Sequence, residues 1–209
     1  MTKDKDERKR PSLRLVVSNP EKRGSRPKED EEIFVPLPEL AANRELLRPG
    51  FYRGLERAQT KAYSRLEAYM QQRDWLYGLD PQHGRVVVVP AAAVCPLAAE
   101  HGGAHQDEVL LFVTEDSTGN GLCLSLETIL PYWSDDESIM EEALLYAPIH
   151  QYGALFLEEN RHDGLLDLVY RLALPIYPPA LTARLLDRFF SIAALELTDA
   201  LQGLAGEEP

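Results

Sequence analysis

Two cysteines in 209 residues are too few for a disulfide framework, and Cys95 and Cys123 both sit in apolar contexts that suit buried, inert thiols. A reduced, cytoplasmic setting is the expectation. Long apolar runs are missing too: nothing approaches the ~20 residues that span a bilayer. The cluster Leu13–Val17 is too short for a signal-peptide core. There is no glycine-rich phosphate loop and no nucleophile elbow. His101 and His105 lie in "HGGAH", where two glycines favour a loop over a helix presenting both imidazoles. His83 sits in a turn and His150 closely follows Pro148. No catalytic residue, metal or cofactor is expected.

Positive charge is scarce beyond the first residues. Of 22 Lys/Arg and 34 Asp/Glu, 10 and 8 fall in residues 1–32, a net of +2. The rest carries 12 basic and 26 acidic residues, a net of −14. A body this acidic repels nucleic acid and anionic membrane and favours basic or apolar partners.

What is present divides the chain. Residues 1–32 are charged, mixed in sign and broken by Pro11, Pro20, Gly24 and Pro27, so they read as a flexible tail. Within it "SLRLVV" has the pattern of a short strand. Residues 33–53 open with "IFVPLPEL", an apolar arm held extended by Pro36 and Pro38 that docks on the domain or on a partner. Residues 54–203 form an α+β domain, and 204–209 a flexible acidic end.

Within the domain, Leu55, Ala58, Ala62, Leu66, Tyr69 and Leu76 recur at helical spacing and predict an amphipathic helix ending near Gly78. "RVVVV", "EVLLFVT" and "GLCLSLE" read as three strands, the last two a hairpin. "SDDE" starts a helix that turns Ile139, Met140, Ala143 and Leu144 inward, with Ser134 and Glu137 placed for a capping box.

The run "LFLEENRHDGLLDLVYRLALP" crowds Glu158, Glu159, His162, Asp163, Asp167 and Arg171 together. Such a cluster suits a metal site or an acid/base pair, yet its period of two and its Asp163-Gly164 turn read as a β-hairpin. Leu166, Leu168, Tyr170, Leu172 and Leu174 then share one face, and each of Asp167 and Arg171 meets a cross-strand neighbour. After Pro178-Pro179 comes a broadly apolar helix. Leu185, Phe189 and Ile192 are expected over the sheet, with Phe190, Ala194 and Leu197 on a flank and Leu195 further round.

The order helix, three strands, helix, hairpin, long helix resembles the YbjN-like proteins, which share the fold of type III secretion chaperones. Gly153, the Asp163-Gly164 turn and Leu174-Pro175 match that family's layout over about residues 54–202. The resemblance implies a small acidic protein that dimerises and binds extended segments of other proteins, and it supplies no catalytic residues.

The expected function is therefore a non-enzymatic protein-binding protein, chaperone- or adaptor-like, acting as a homodimer. The expected contact residues are Phe190, Ala194, Leu195 and Leu197, with Ile33, Phe34 and Val35 in the arm. An alternative is a regulator whose basic tail contacts nucleic acid or an acidic partner. A third, warranted by clustering alone, is a metal-dependent enzyme built on Glu158, Glu159, His162 and Asp163.

Overall fold

A computed structural model describes residues 14–15, 35–89, 108–115, 121–130, 132–133, 137–146, 151–159, 166–177 and 181–205. The described elements are β1 (Arg14–Leu15), α1 (Leu37–Ala42), α2 (Arg44–Tyr52), α3 (Arg57–Gln72), β2 (Leu76–Asp80) and β3 (Arg85–Val89). They continue with β4 (Val109–Glu115), β5 (Leu122–Ile129), β6 (Tyr132–Trp133), α4 (Glu137–Tyr146), β7 (Gly153–Glu159), β8 (Leu166–Ile176) and α5 (Ala183–Ala205). The fold is mixed helix and antiparallel sheet. Six strands form one sheet in the order β2-β3-β4-β5-β8-β7, and β1 pairs separately with β6.

The alternation of each strand sorts the sheet into two faces. One face presents Tyr77, Leu79, Val86, Val88, Leu111, Val113, Leu124, Leu126, Leu168, Tyr170 and Leu172, all buried. Against it lie α3, through Ala62, Tyr63, Leu66 and Met70, and α5, through Leu186, Phe189, Phe190, Ala193 and Leu197. Met140 of α4 completes this core. Gln59 fixes the start of α3: its side-chain carbonyl accepts the Glu56 N–H (3.0 Å), and its amide donates to the Val113 carbonyl of β4 (3.1 Å). Buried Tyr63 ties α3 to the β2–β3 turn and to β4, donating to the Gly84 carbonyl (2.7 Å) and accepting the Val113 N–H (2.8 Å).

On the other face the described residues form a cluster at one end. Leu37 and Leu40 of α1 pack with Val87 into a second, smaller cluster, flanked by Val35, Ala41, Leu47, Val89 and Leu110. The close approach is made at Gly78, where a Cβ would overlap Leu40 and crowd the α1 backbone.

Several expectations need correction. The first long helix ends at Gln72, not near Gly78, because Asp74 turns the chain at φ 53° and Leu76–Asp80 joins the sheet as β2. The hairpin and the three-stranded segment are one sheet, joined through β5 and β8. Pro36 and Pro38 do not hold the arm extended: Pro36 caps α1 and Pro38 occupies its first turn, where no N–H is needed. The short strand expected within "SLRLVV", by contrast, is present: Arg14–Leu15 pairs with Tyr132–Trp133.

The largest change concerns α5. Its buried face runs through Leu186, Phe189, Phe190, Ala193, Leu197, Ala200 and Leu201. Leu185 and Ile192, expected over the sheet, are only half-buried at its margin. Phe190 and Leu197 are core residues rather than flank residues. Phe190 stacks on Tyr69 (5.6 Å) and meets the edge of Trp75 (5.0 Å). Neither aromatic could be assigned to α5 by reading that helix alone.

Candidate functional site

Three buried carboxylates, Glu67, Asp80 and Glu196, and the exposed Asp187 first attract notice, and each one is taken up in hydrogen bonds. Glu67, on the apolar stripe of α3, accepts hydrogen bonds from Arg48 (2.6 Å), Tyr52 (2.5 Å) and Tyr77 (3.1 Å). Those bonds bind α2 to α3 and β2. Burial raises the Tyr52 hydroxyl pKa above the usual phenol range, and the bond to Glu67 raises it further. Tyr77 is raised first by burial and then by the Glu67 charge.

Glu196 plays the same part at the other side of the core. Its carboxylate accepts the N–H groups of Gln151 (3.0 Å), Tyr152 (2.9 Å) and Gly153 (2.8 Å), and the Tyr170 hydroxyl (2.7 Å). It thereby clasps α5 to the start of β7. Any side chain at position 153 would run into Tyr170 and Glu196. Burial raises the Tyr170 pKa, and its bond to Glu196 adds to that. Asp80 closes the β2–β3 turn, accepting from the N–H groups of Gln82 and His83 and pairing with His83 Nδ1 (2.7 Å) and Arg85 Nε (2.9 Å). Asp187 of α5 accepts from Tyr69 (2.9 Å) and from Arg73, which also lies over the Tyr69 ring (3.6 Å).

On the second face of the sheet, by contrast, further apolar side chains gather: Ile129 is exposed, Phe112 and Phe156 are half-buried, and Val169 is buried at 4 %. Ile129, Val169 and Phe156 are directly opposite one another across β5, β8 and β7, one row on the second face of the sheet. Phe112 of β4 stands on the same face, opposite Ser125. None of these four belongs to either hydrophobic cluster. Ile129 is 51 % exposed. Between the rows Arg171 pairs with Glu127 (2.5 Å) and lies 4.6 Å above the Phe156 ring. Ala154 and Ala173 are exposed on this face and leave it shallow.

The expected contact residues are scattered. Phe190 (3 %) and Leu197 (0 %) are buried, Ala194 is half-buried, and Leu195 alone is open at 68 %. Val35 packs against the α1 cluster, while Ile33 and Phe34 lie outside the described residues. Of the polar cluster, Glu158 and Glu159 are exposed at the end of β7, with Glu158 opposite Asp167, and Arg171 meets Glu127 across β5 as expected of the exposed strand face. His162 and Asp163 lie outside the described residues, as do Cys95, His101, His105, His150 and Ser134. Cys123 is half-buried and free. Among the described residues no group of three or more His, Cys, Asp or Glu is gathered as for a metal ion, and no described helix is long and apolar enough to cross a membrane.

Glu67 and Glu196 were not singled out in the sequence, although their spacing signals them. Glu67 falls four residues after Tyr63 and three before Met70; Glu196 falls three after Ala193 and four before Ala200. A carboxylate on an apolar stripe must find partners or stay neutral. The row Ile129–Val169–Phe156 carried no such local signal, because it depends on strand register.

The chain matches no protein-family model, no curated protein and no solved structure.

Proposed function

We propose that this chain is a non-enzymatic protein-binding protein, adaptor- or chaperone-like, that takes an apolar extended segment of another protein on the second face of its sheet. The observation that carries the reading is the unequal cover of that face among the described residues, which leaves Ile129 exposed. The α1–α2 pair seals it over β2 and β3. The row Ile129, Val169 and Phe156 beyond them lies outside both clusters. Within that row Ile129 is exposed and Phe156 half-buried around buried Val169, and an apolar patch of this kind beside the Arg171–Glu127 pair suits an interaction site. The acidic body favours a partner segment carrying basic residues beside its apolar ones.

The non-catalytic part of the reading is supported by the four carboxylates described above, each saturated by bonds that join secondary elements. The likeness to secretion chaperones in element order fits the same use, with the contact surface on the sheet rather than on the last helix.

A photo-crosslinking residue placed at position 129 tests this, with the same residue at exposed Arg184 of α5 as control. A protein crosslinked at 129 and not at 184, whose purified form binds the chain and loses affinity on Ile129→Glu, supports the reading. Equal capture at both positions, or unchanged affinity in the folded variant, removes it.

A further inference from the structure

We propose that the outer edge of β7 receives the segment Leu13–Val17 of a second copy of this chain as an added antiparallel strand. The proposal goes beyond the partner reading and does not rest on it: it concerns a different surface, an edge rather than a face.

The geometry of β7 comes first. In an antiparallel ladder successive residues turn their N–H and C=O groups alternately toward and away from the neighbour. The Gly153 N–H donates to Glu196, so it does not serve β8. The Leu168 carbonyl accepts the Leu130 N–H on the β5 side of β8, and Leu168 is the residue opposite Leu157. Both facts set one phase: Leu155, Leu157 and Glu159 turn their backbone groups away from β8. Among the described residues no strand pairs with β7 on that side. Unpaired edge groups are a template for another strand.

Side-chain pattern names the occupant. An incoming strand must place apolar residues beside half-buried Leu155 and Leu157, on the core face, and suit exposed Glu158 on the other. Leu13-Arg14-Leu15-Val16-Val17 does this in one register. With Arg14 opposite Glu158, Leu15 falls opposite Leu157, Val16 opposite Phe156 and Val17 opposite Leu155. An arginine then meets a glutamate and three apolar residues meet apolar ones, while Leu13 falls opposite Glu159 at the open end of the strand. Long-range charge acts the same way, since residues 1–32 carry a net of +2 and the rest −14. Within one chain the same segment pairs with β6 over two residues among those described. A ladder that short holds weakly, and the exchanged pairing is longer.

The experiment is sedimentation of the full chain over a concentration series, with Arg14→Glu, Glu158→Arg and the double variant, each checked for folding by circular dichroism. The wild type is expected to self-associate. Each single variant sets like charges opposite each other and should weaken association about tenfold or more, and the double variant should recover it. Hydrogen exchange at Leu155 and Leu157 should slow as the wild type associates. A wild type that stays monomeric at every concentration overturns the proposal. So does association untouched by either single variant, association with unchanged exchange at those two amides, or loss that the double variant fails to restore.

Discussion

The two edges of the sheet are treated in opposite ways. At the β2 edge the chain spends two helices: α1 lies on the second face over Gly78 and Val87, and α2 reaches the core side to place Arg48 and Tyr52 on Glu67. At the β7 edge, among the described residues, no further strand pairs, and the exposed glutamates Glu158 and Glu159 stand at the end of the strand. Charge alone is the lighter of the usual protections against unwanted strand pairing. One edge is closed by burial and hydrogen bonding, which no surface change undoes. The other is guarded by charge, which a basic strand satisfies. That contrast is the physical reason for looking to β7, and not to α5, for contacts between chains.

The comparison breaks first at Glu67. Glu67→Ala leaves Arg48, Tyr52 and Tyr77 without their acceptor in a buried setting and should cost about 3 kcal/mol. Urea unfolding measures the loss, and proteolysis within α1–α2 should quicken with it. A loss under about 1 kcal/mol would mean that the cap holds by apolar packing alone.

Gly78→Val tests that packing from the other side. The new side chain would overlap Leu40 and push α1 off the strand, at a cost of about 2 kcal/mol. Hydrogen exchange should then rise in Leu37–Ala42 and β2 while β7 and β8 stay as they were. Equal loss of protection at both edges would show the sheet to respond as one unit.

Alkaline titration gives a smaller effect common to the core. The pKa values of Tyr52, Tyr63, Tyr69, Tyr77 and Tyr170 are all raised, mainly by burial, with Glu67, Asp187 and Glu196 adding to four of them. A phenol held neutral in the folded chain contributes stability that is complete below its unfolded pKa of about 10 and is lost as pH rises through the higher folded value. Stability should therefore stay level up to about pH 10 and fall above it, with phenolate absorbance appearing together with unfolding. Phenolate formation at these five tyrosines, resolved by residue in the still-folded protein near pH 10, would contradict the burial of their hydroxyls.

The smallest effect belongs to the bare edge. Glu158→Arg should change the stability of the monomer by no more than about 0.5 kcal/mol, because the residue is exposed. Thermal unfolding at the lowest workable concentration checks this. A much larger change would give Glu158 a structural role and make the two edges more alike than they are drawn here.

Periodicity alone located much of this molecule. The stripe Ala62, Leu66 and Tyr69 placed α3, the β-branched run placed β3, and the alternation Leu166 to Leu174 placed the correct face of β8 inward. These signals are local: a side chain's position on a helix or strand follows from its number along the chain. Where the local signal was even all round, it failed. On α5 apolar residues cover so wide an arc that several rotations fit, and the true one was chosen by Tyr69 and Trp75, which stack on Phe190 from distant positions. The proline arm failed for a related reason, since Pro36 and Pro38 permit either an extended chain or a helix start, and Gly78 selects the helix by admitting α1.

By itself, then, the sequence determined the acidity of the body, the α+β class and the inward faces of α3 and β8, because composition and period are properties of the chain. The tertiary structure decided which strands stand side by side, and therefore that Ile129, Val169 and Phe156 form one row from three separate segments. It also decided the fate of the carboxylates. Glu67 and Glu196 are ordinary residues in the sequence, and they became joints of the fold only when hydroxyls and N–H groups from remote positions closed around them. Register and burial are relations between segments, so no single stretch of the chain contains them.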